Sequence, residues 1–314
     1  MKCSFLRKID KLYNNVARQQ ALFTKLLPED LQDCSKDYYL LYRIIDTAED
    51  YVGDSILKER MLKSITADFL RGIKEASDLL LKNSQCIEKK YIELLENTDK
   101  ILEFHNFLDK KDREAIESTG KIMAGGMLKF AEKFEKSKFD SKVFFINNFK
   151  ELDEYCYFAA GCVGELNSKL FFDRECFNKN SNYDETVKNG AELGNYLQIV
   201  NILRDNSEDK TVQNKKYFPA ENSTSEPETQ LDKIINFAET KEKAIEKYIN
   251  NISCKKVKRY CSCLYDVAKE HLRFYRQNKT ALLNRNIKPS SIKLFLILPL
   301  ALKFIFLFYK IKKI

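Results

Sequence analysis

Apolar residues return every third or fourth position from Phe5 to Leu27 and again through most of the chain, the spacing of helices that each bury one face. Strand-like alternation is scarce. The pattern predicts helices at about 5–27, 29–52, 55–83, 86–106, 110–136, 141–173, 184–210, 231–251 and 254–278. Pro28-Glu29-Asp30 marks the second start, because proline suits the first helical turn and acids there complement its exposed amides. No proline falls between Pro28 and Pro219, so no proline kink interrupts that long run. Residues 210–230, rich in Asn, Ser, Thr and Glu and holding two prolines, form the clearest loop. A mostly helical fold follows.

Two of the predicted helices carry acids where apolar residues otherwise dominate. Residues at i, i+3 and i+4 share a helix face, so Asp46, Glu49 and Asp50 stand together, and Asp205, Glu208 and Asp209 repeat the arrangement. Each cluster is a D-x-x-E-D segment with an arginine close by, Arg43 and Arg204. Like charges this close repel, and a cation restores the balance. Mg2+ takes oxygen ligands and combines one or two carboxylates with waters and substrate phosphates. Asn201 lies one turn before Asp205 and two before Asp209, which extends the second stripe into an Asn-Asp-Asp ladder. A single D-x-x-E-D would read as a solvated surface. Within the apolar stretches Tyr39–Asp50 and Leu193–Asp209, a polar face needs a hydrated, ion-filled setting. The pair reads as two halves of one site.

Charge narrows the partners. The chain has a net charge of +8, but its lysines are spread along many helices without a basic and aromatic motif, so nucleic acid is not an expected partner. The same balance suits diphosphates and anionic membrane surfaces. Nine cysteines, an odd number with no scaffold spacing, and an N-terminus without a signal-like apolar core point to reduced thiols in the cytoplasm. Cys254, Cys261, Cys263 and His271 match no common zinc spacing and receive no role.

Four blocks in order resemble the squalene/phytoene synthase family. Tyr39-Leu-Leu-Tyr-Arg-Ile-Ile-Asp-Thr-Ala-Glu-Asp50 is similar to its first aspartate-rich motif, Tyr155-Cys-Tyr-Phe-Ala-Ala-Gly-Cys-Val-Gly164 to its tyrosine-led helix, and Leu193 to Asp205 to its second aspartate-rich helix. Lys215-Lys-Tyr-Phe-Pro219 resembles the loop that follows. The resemblance implies an all-α isoprenoid-synthase helical bundle around a deep central cavity. It implies one catalytic domain over residues 1–314, with the apolar C-terminal segment at about 291–309 as a core helix rather than an anchor. It implies an enzyme that joins two prenyl diphosphates head to head, farnesyl diphosphate being favoured, through presqualene diphosphate to squalene.

The same resemblance assigns Asp46, Glu49, Asp50, Asn201, Asp205, Glu208 and Asp209 to Mg2+. It assigns Arg18, Tyr39, Arg43, Gln198, Arg204, Lys215 and Tyr217 to the substrates, and Tyr155 to catalysis alongside Asp46, Asp50, Asp205 and Asp209. Tyr155 would steer the carbocation or relay the proton lost on coupling. Phe158, Tyr196 and Leu197 stand as cavity liners or as ordinary core. Two departures bear on diphosphate binding: Ala17-Arg18-Gln19-Gln20 lacks the family's hydroxyls and aromatic, and Lys215 replaces an arginine. NADPH would reduce the product in the squalene branch, whereas phytoene and dehydrosqualene synthases finish without it. A silent membrane-associated assembly protein is the rival of another class. The basic Lys310, Lys312 and Lys313 fit peripheral contact with a membrane surface, where a hydrocarbon product would leave.

Overall fold

The computed structural model describes residues 2–139, 145–208, 217–222, 225–285, 287 and 289–290. Among them no strand forms, and extended backbone pairs only at an isolated bridge between Phe177 and Ile252. The all-α expectation holds. The chain divides into two compact units, Met1–Lys136 and Ser137–Ile314.

The first unit contains α1 (Lys2–Ala17), α2 (Gln19–Thr24), α3 (Glu29–Glu49), α4 (Ser55–Ala67), α5 (Phe69–Lys82), α6 (Lys89–Glu96), α7 (Thr98–His105) and most of α8 (Lys110–Phe139). Leu40, Leu41, Ile44, Ile45 and Ala48 follow the helical spacing along α3 and are fully buried, with Met61, Leu62 and Ile65 of α4 and Ile73, Ala76 and Leu80 of α5. This core fixes the axis of α3, the first acidic helix. Three of the long predicted helices are broken by polar residues. Asp68 ends α4 in extended backbone, and its carboxylate accepts from the Arg71 amide to start α5. Asn97 separates α6 from α7. Arg18 separates α1 from α2 at a φ of 45°, a left-handed value that costs a non-glycine residue energy.

The second unit contains α9 (Phe149–Cys156), α10 (Cys162–Phe172), α11 (Tyr183–Glu208), α12 (Pro227–Glu239), α13 (Glu242–Asn251), α14 (Lys255–Gln277) and α15 (Lys279–Asn284). A π-helical turn at Tyr157–Gly161 joins α9 to α10. Helices α10 and α11 meet through glycine. A Cβ on Gly164 would fall 2.1 Å from the Gly190 carbonyl oxygen, and one on Gly194 would fall 2.3 Å from that of Ala160. Backbone contact this close sets α11, the second acidic helix, against the tyrosine-led helix. Of the cysteines and histidine left without a role, Cys254 is half-buried, whereas Cys261 and Cys263 are buried and unbonded to each other, and the buried His271 bonds through Nδ1 to the Val267 carbonyl at 2.8 Å. The apolar segment at 291–309 lies outside the described residues.

Candidate active site

Helix α3 carries Tyr39, Arg43, Asp46 and Glu49, and Asp50 caps its end. Arg43 and Asp46 are one turn apart, and Arg43 Nη1 pairs with Asp46 Oδ2 at 3.1 Å, each side chain about one quarter exposed. The other arm of the fork, Nη2, donates to the Tyr39 hydroxyl at 3.0 Å. Tyr39 is set in turn by Tyr13 of α1, edge to face at 5.5 Å. Burial raises the Asp46 carboxyl above its ordinary value, Arg43 opposes the rise, and Glu49 adds to it. Burial alone would lower the Arg43 guanidinium, but Asp46, Tyr39 and Tyr91 together raise it. Asp50 is exposed, whereas Glu49 is buried.

Helix α11 brings Gln198, Asn201, Arg204 and Asp205 along successive turns. Arg204 grips its neighbour Asp205 bidentately, Nε to Oδ1 at 2.8 Å and Nη2 to Oδ2 at 2.6 Å. The Asn201 amide reaches the Gln198 side-chain oxygen at a long 3.5 Å. Each acidic helix thus sets an arginine against the first aspartate of its motif. Asp209, Lys215 and the side chain of Glu208 lie outside the described residues.

Tyr155 ends up in an aromatic trio. Its hydroxyl donates to that of Tyr217 at 3.3 Å, its ring lies 5.1 Å from the Tyr217 ring, and Phe145 stands edge-on to both. All three are buried. The π-helical turn begins two residues after Tyr155, and such turns recur at functional sites because the extra residue re-aims the side chains around it. Phe158 lies in that turn, against Tyr157. Tyr196, weighed as a cavity liner, is fully buried, and its hydroxyl donates to Glu242 at 3.1 Å beside the Tyr265 ring, which is the ordinary core role.

The structure adds residues that the sequence reading had passed over. Lys241, 6% exposed, extends Nζ to Asp153 of α9 at 2.5 Å and to Glu192 of α11 at 2.7 Å. Burial works against its charge, and the two carboxylates more than compensate. Asp153 also accepts from the Asn195 amide at 3.3 Å, so one carboxylate ties α9, just before Tyr155, to the second acidic helix. In the first unit Tyr91 of α6 lies against Arg43. Nothing in the local sequence of Lys241 or Tyr91 distinguishes them from surface residues.

Among the described residues, no three carboxylate, thiolate or imidazole side chains stand close enough to hold a metal alone. The donor chemistry present, carboxylates with an amide oxygen, is of the hard-oxygen kind that fits Mg2+.

Comparison with known proteins extends this picture. The family profile described as Squalene/phytoene synthase matches residues 13–302. The chain is 29% identical over 216 residues to a squalene synthase of Schizosaccharomyces pombe, covering 69% of this chain and 44% of that protein. It is 30% identical over 225 residues to a squalene synthase of Mus musculus, covering 69% and 47%. A lycopaoctaene synthase of Botryococcus braunii is 26% identical over 198 residues, covering 63% and 40%. The chain therefore spans less than half the length of these relatives. A solved structure of TcSQS with a ligand superposes at a TM-score of 0.74 and 19% identity, covering 94% of this chain and 85% of that one, a likeness of fold.

Proposed function

The chain belongs to the squalene/phytoene synthase family, and from that premise we propose that it joins two farnesyl diphosphates head to head, through presqualene diphosphate, to squalene. The observation that carries this reading is the repeated pairing of arginine with the leading aspartate, Arg43 with Asp46 and Arg204 with Asp205, on two separate helices. The reaction has two diphosphates to release, and the chain carries two such helices. Because the family match runs through both compact units, residues 1–314 serve in this reading as one catalytic domain.

Asp46, Glu49 and Asp50 on one helix, and Asn201, Asp205, Glu208 and Asp209 on the other, would hold Mg2+. Bound there, the metal neutralises the charge that gathers on a departing diphosphate. The arginines do related work from the protein side. Arg43 and Arg204 would offer phosphate oxygens the N–H groups that their aspartates leave over, with Arg18 and Lys215 as further cations, so the leaving group would meet fixed positive charge where its own charge develops. Tyr39 and Gln198 orient the bound ends. The carbocation left behind needs apolar surroundings with electron-rich ring faces. Phe145, Tyr155 and Tyr217 supply such faces, and the Tyr155 hydroxyl, bonded to that of Tyr217, is a polar group among them that can accept the proton lost on coupling. In this reading NADPH would be a second substrate, supplying the hydride that reduces the final cation. A hydrocarbon product of this size has no aqueous destination, so release at a membrane surface by a peripheral, cytoplasmic protein belongs to the same proposal. Among the described residues no helix is long and apolar enough to cross a membrane.

The test is incubation with farnesyl diphosphate and Mg2+, with and without NADPH, and mass analysis of the extracted lipid. Squalene should form only with NADPH. Asp50→Asn and Asp205→Asn should each remove most turnover while the helical circular dichroism persists. Identical products in both conditions would move the assignment to the branch that ends without reduction, and no turnover in any condition would favour the silent assembly protein. Undiminished turnover in both variants would refute the metal assignment.

A further inference from the structure

Arg43 is held by more than its own helix. Its guanidinium lies 5.3 Å from the centre of the Tyr39 ring in α3 and 5.7 Å from the centre of the Tyr91 ring in α6. Nη2 donates to Tyr39 and Nη1 pairs with Asp46, which accounts for one donor on each arm of the fork. The third nitrogen, Nε, is buried and has no hydrogen-bond partner among the described residues. A buried donor left unpaired is costly, so the other contacts of the guanidinium must outweigh that cost to hold it in this pose.

Stacking on a ring uses the delocalised face of a guanidinium and leaves its in-plane N–H groups free. Tyr39 sits one turn before Arg43, so its position follows from α3 itself. Tyr91 comes from a different element and adds a constraint that α3 cannot supply. The Tyr91 ring is also approached by Lys90 Nζ at 4.5 Å, so its π electrons attract two cations.

We propose that Tyr91 is a positioning residue, its ring holding the Arg43 guanidinium so that the remaining N–H groups of this one-quarter-exposed side chain donate to a diphosphate oxygen of the prenyl substrate. The inference rests on the prenyl diphosphate reading above. It predicts an effect on binding that acts through Arg43 and is independent of the Tyr91 hydroxyl, since a ring face suffices.

The experiment measures binding of inorganic pyrophosphate in the presence of Mg2+ by calorimetry on the full chain, and KM and kcat for farnesyl diphosphate, in the wild type, Tyr91→Leu and Tyr91→Phe. Tyr91→Leu should weaken pyrophosphate binding and raise KM by about tenfold, the effect of one partly desolvated cation–ring contact, with kcat changed by less than about twofold. Tyr91→Phe should restore both to within about twofold of the wild type. In an Arg43→Ala background Tyr91→Leu should add nothing further, because the residue acts through the arginine. Wild-type affinity in Tyr91→Leu, or an effect of equal size with Arg43 already removed, would overturn the proposal. Tyr91→Met, of similar volume and without a ring, carries the same comparison if the leucine variant loses its fold. A wild type that binds no pyrophosphate with Mg2+ would instead overturn the functional reading itself, so the two failures are separable.

Discussion

Replacing Lys241 with Met would leave Asp153 and Glu192 facing each other without the cation that now lies 2.5 Å from one and 2.7 Å from the other. Removing one partner of a fully buried ion pair costs about 3–5 kcal/mol, because the remaining charge stays desolvated. Here the lysine is 6% exposed at its side chain, but Asp153 is 39% and Glu192 22% exposed, so water reaches both acids and the lower end applies, about 3 kcal/mol. At about 2–4 °C per kcal/mol for a unit of this size, the melting temperature should fall by about 6–12 °C, followed by helical circular dichroism. Turnover should fall as well, because Asp153 lies just before Tyr155 and fixes the α9 backbone that carries it. Adding Asp153→Asn and Glu192→Gln to Lys241→Met should recover most of the loss. A single Lys241→Met variant within about 1 kcal/mol of the wild type would refute the reasoning.

Gly164→Ala should destabilise the protein by about 1–3 kcal/mol, read as a lower melting temperature, because the added methyl meets a backbone oxygen that cannot move without separating α10 from α11. His105, fully buried, bonds through Nδ1 to Asp37 at 2.7 Å and through Nε2 to Glu117 at 3.3 Å, and against its burial these acids raise its affinity for a proton, while burial raises that of Asp37. The folded cluster therefore holds a proton that the unfolded histidine releases above about pH 6.5, so stability should fall as pH rises above about 6.5, by up to about 1.4 kcal/mol per pH unit, until the folded cluster itself titrates, and Asp37→Asn with His105→Gln should abolish that slope in melting curves.

What could be read from the sequence was the chemistry written within single helices. Asp46, Glu49 and Asp50, or Asn201 and Asp205, lie within two turns of one another, so helical periodicity alone puts each group on one helix face, and Arg43 and Arg204 come with them. The breaks were harder. Asp68, Asn97 and Arg18 each look like ordinary polar positions in an amphipathic pattern, yet Asp68 accepts the Arg71 amide and Arg18 takes a left-handed backbone angle. The π-helical turn at Tyr157–Gly161 is apolar and small like the helix around it, and its single extra residue leaves no compositional trace.

The residues that escaped notice share a physical property: they act on partners far away in the chain. Lys241 reaches Asp153 across 88 positions, and His105 reaches Asp37 across 68. A buried lysine that pairs with two acids has the same local sequence signature as one bathed in solvent, because what distinguishes it is a desolvation cost set by tertiary packing. Ligand-directed groups obey a different rule. A diphosphate is small and strongly charged, so the donors that meet it must converge within a few ångströms, and one helix face meets that demand most simply. The supporting groups have no such limit, since their task is to fix helices relative to one another, and longer separation in sequence is what lets them do it. On the proposed reading, the groups that would touch substrate are therefore visible in motifs, whereas the groups that would aim them, Tyr91 for Arg43 and Lys241 for α9, become visible only when the helices are placed.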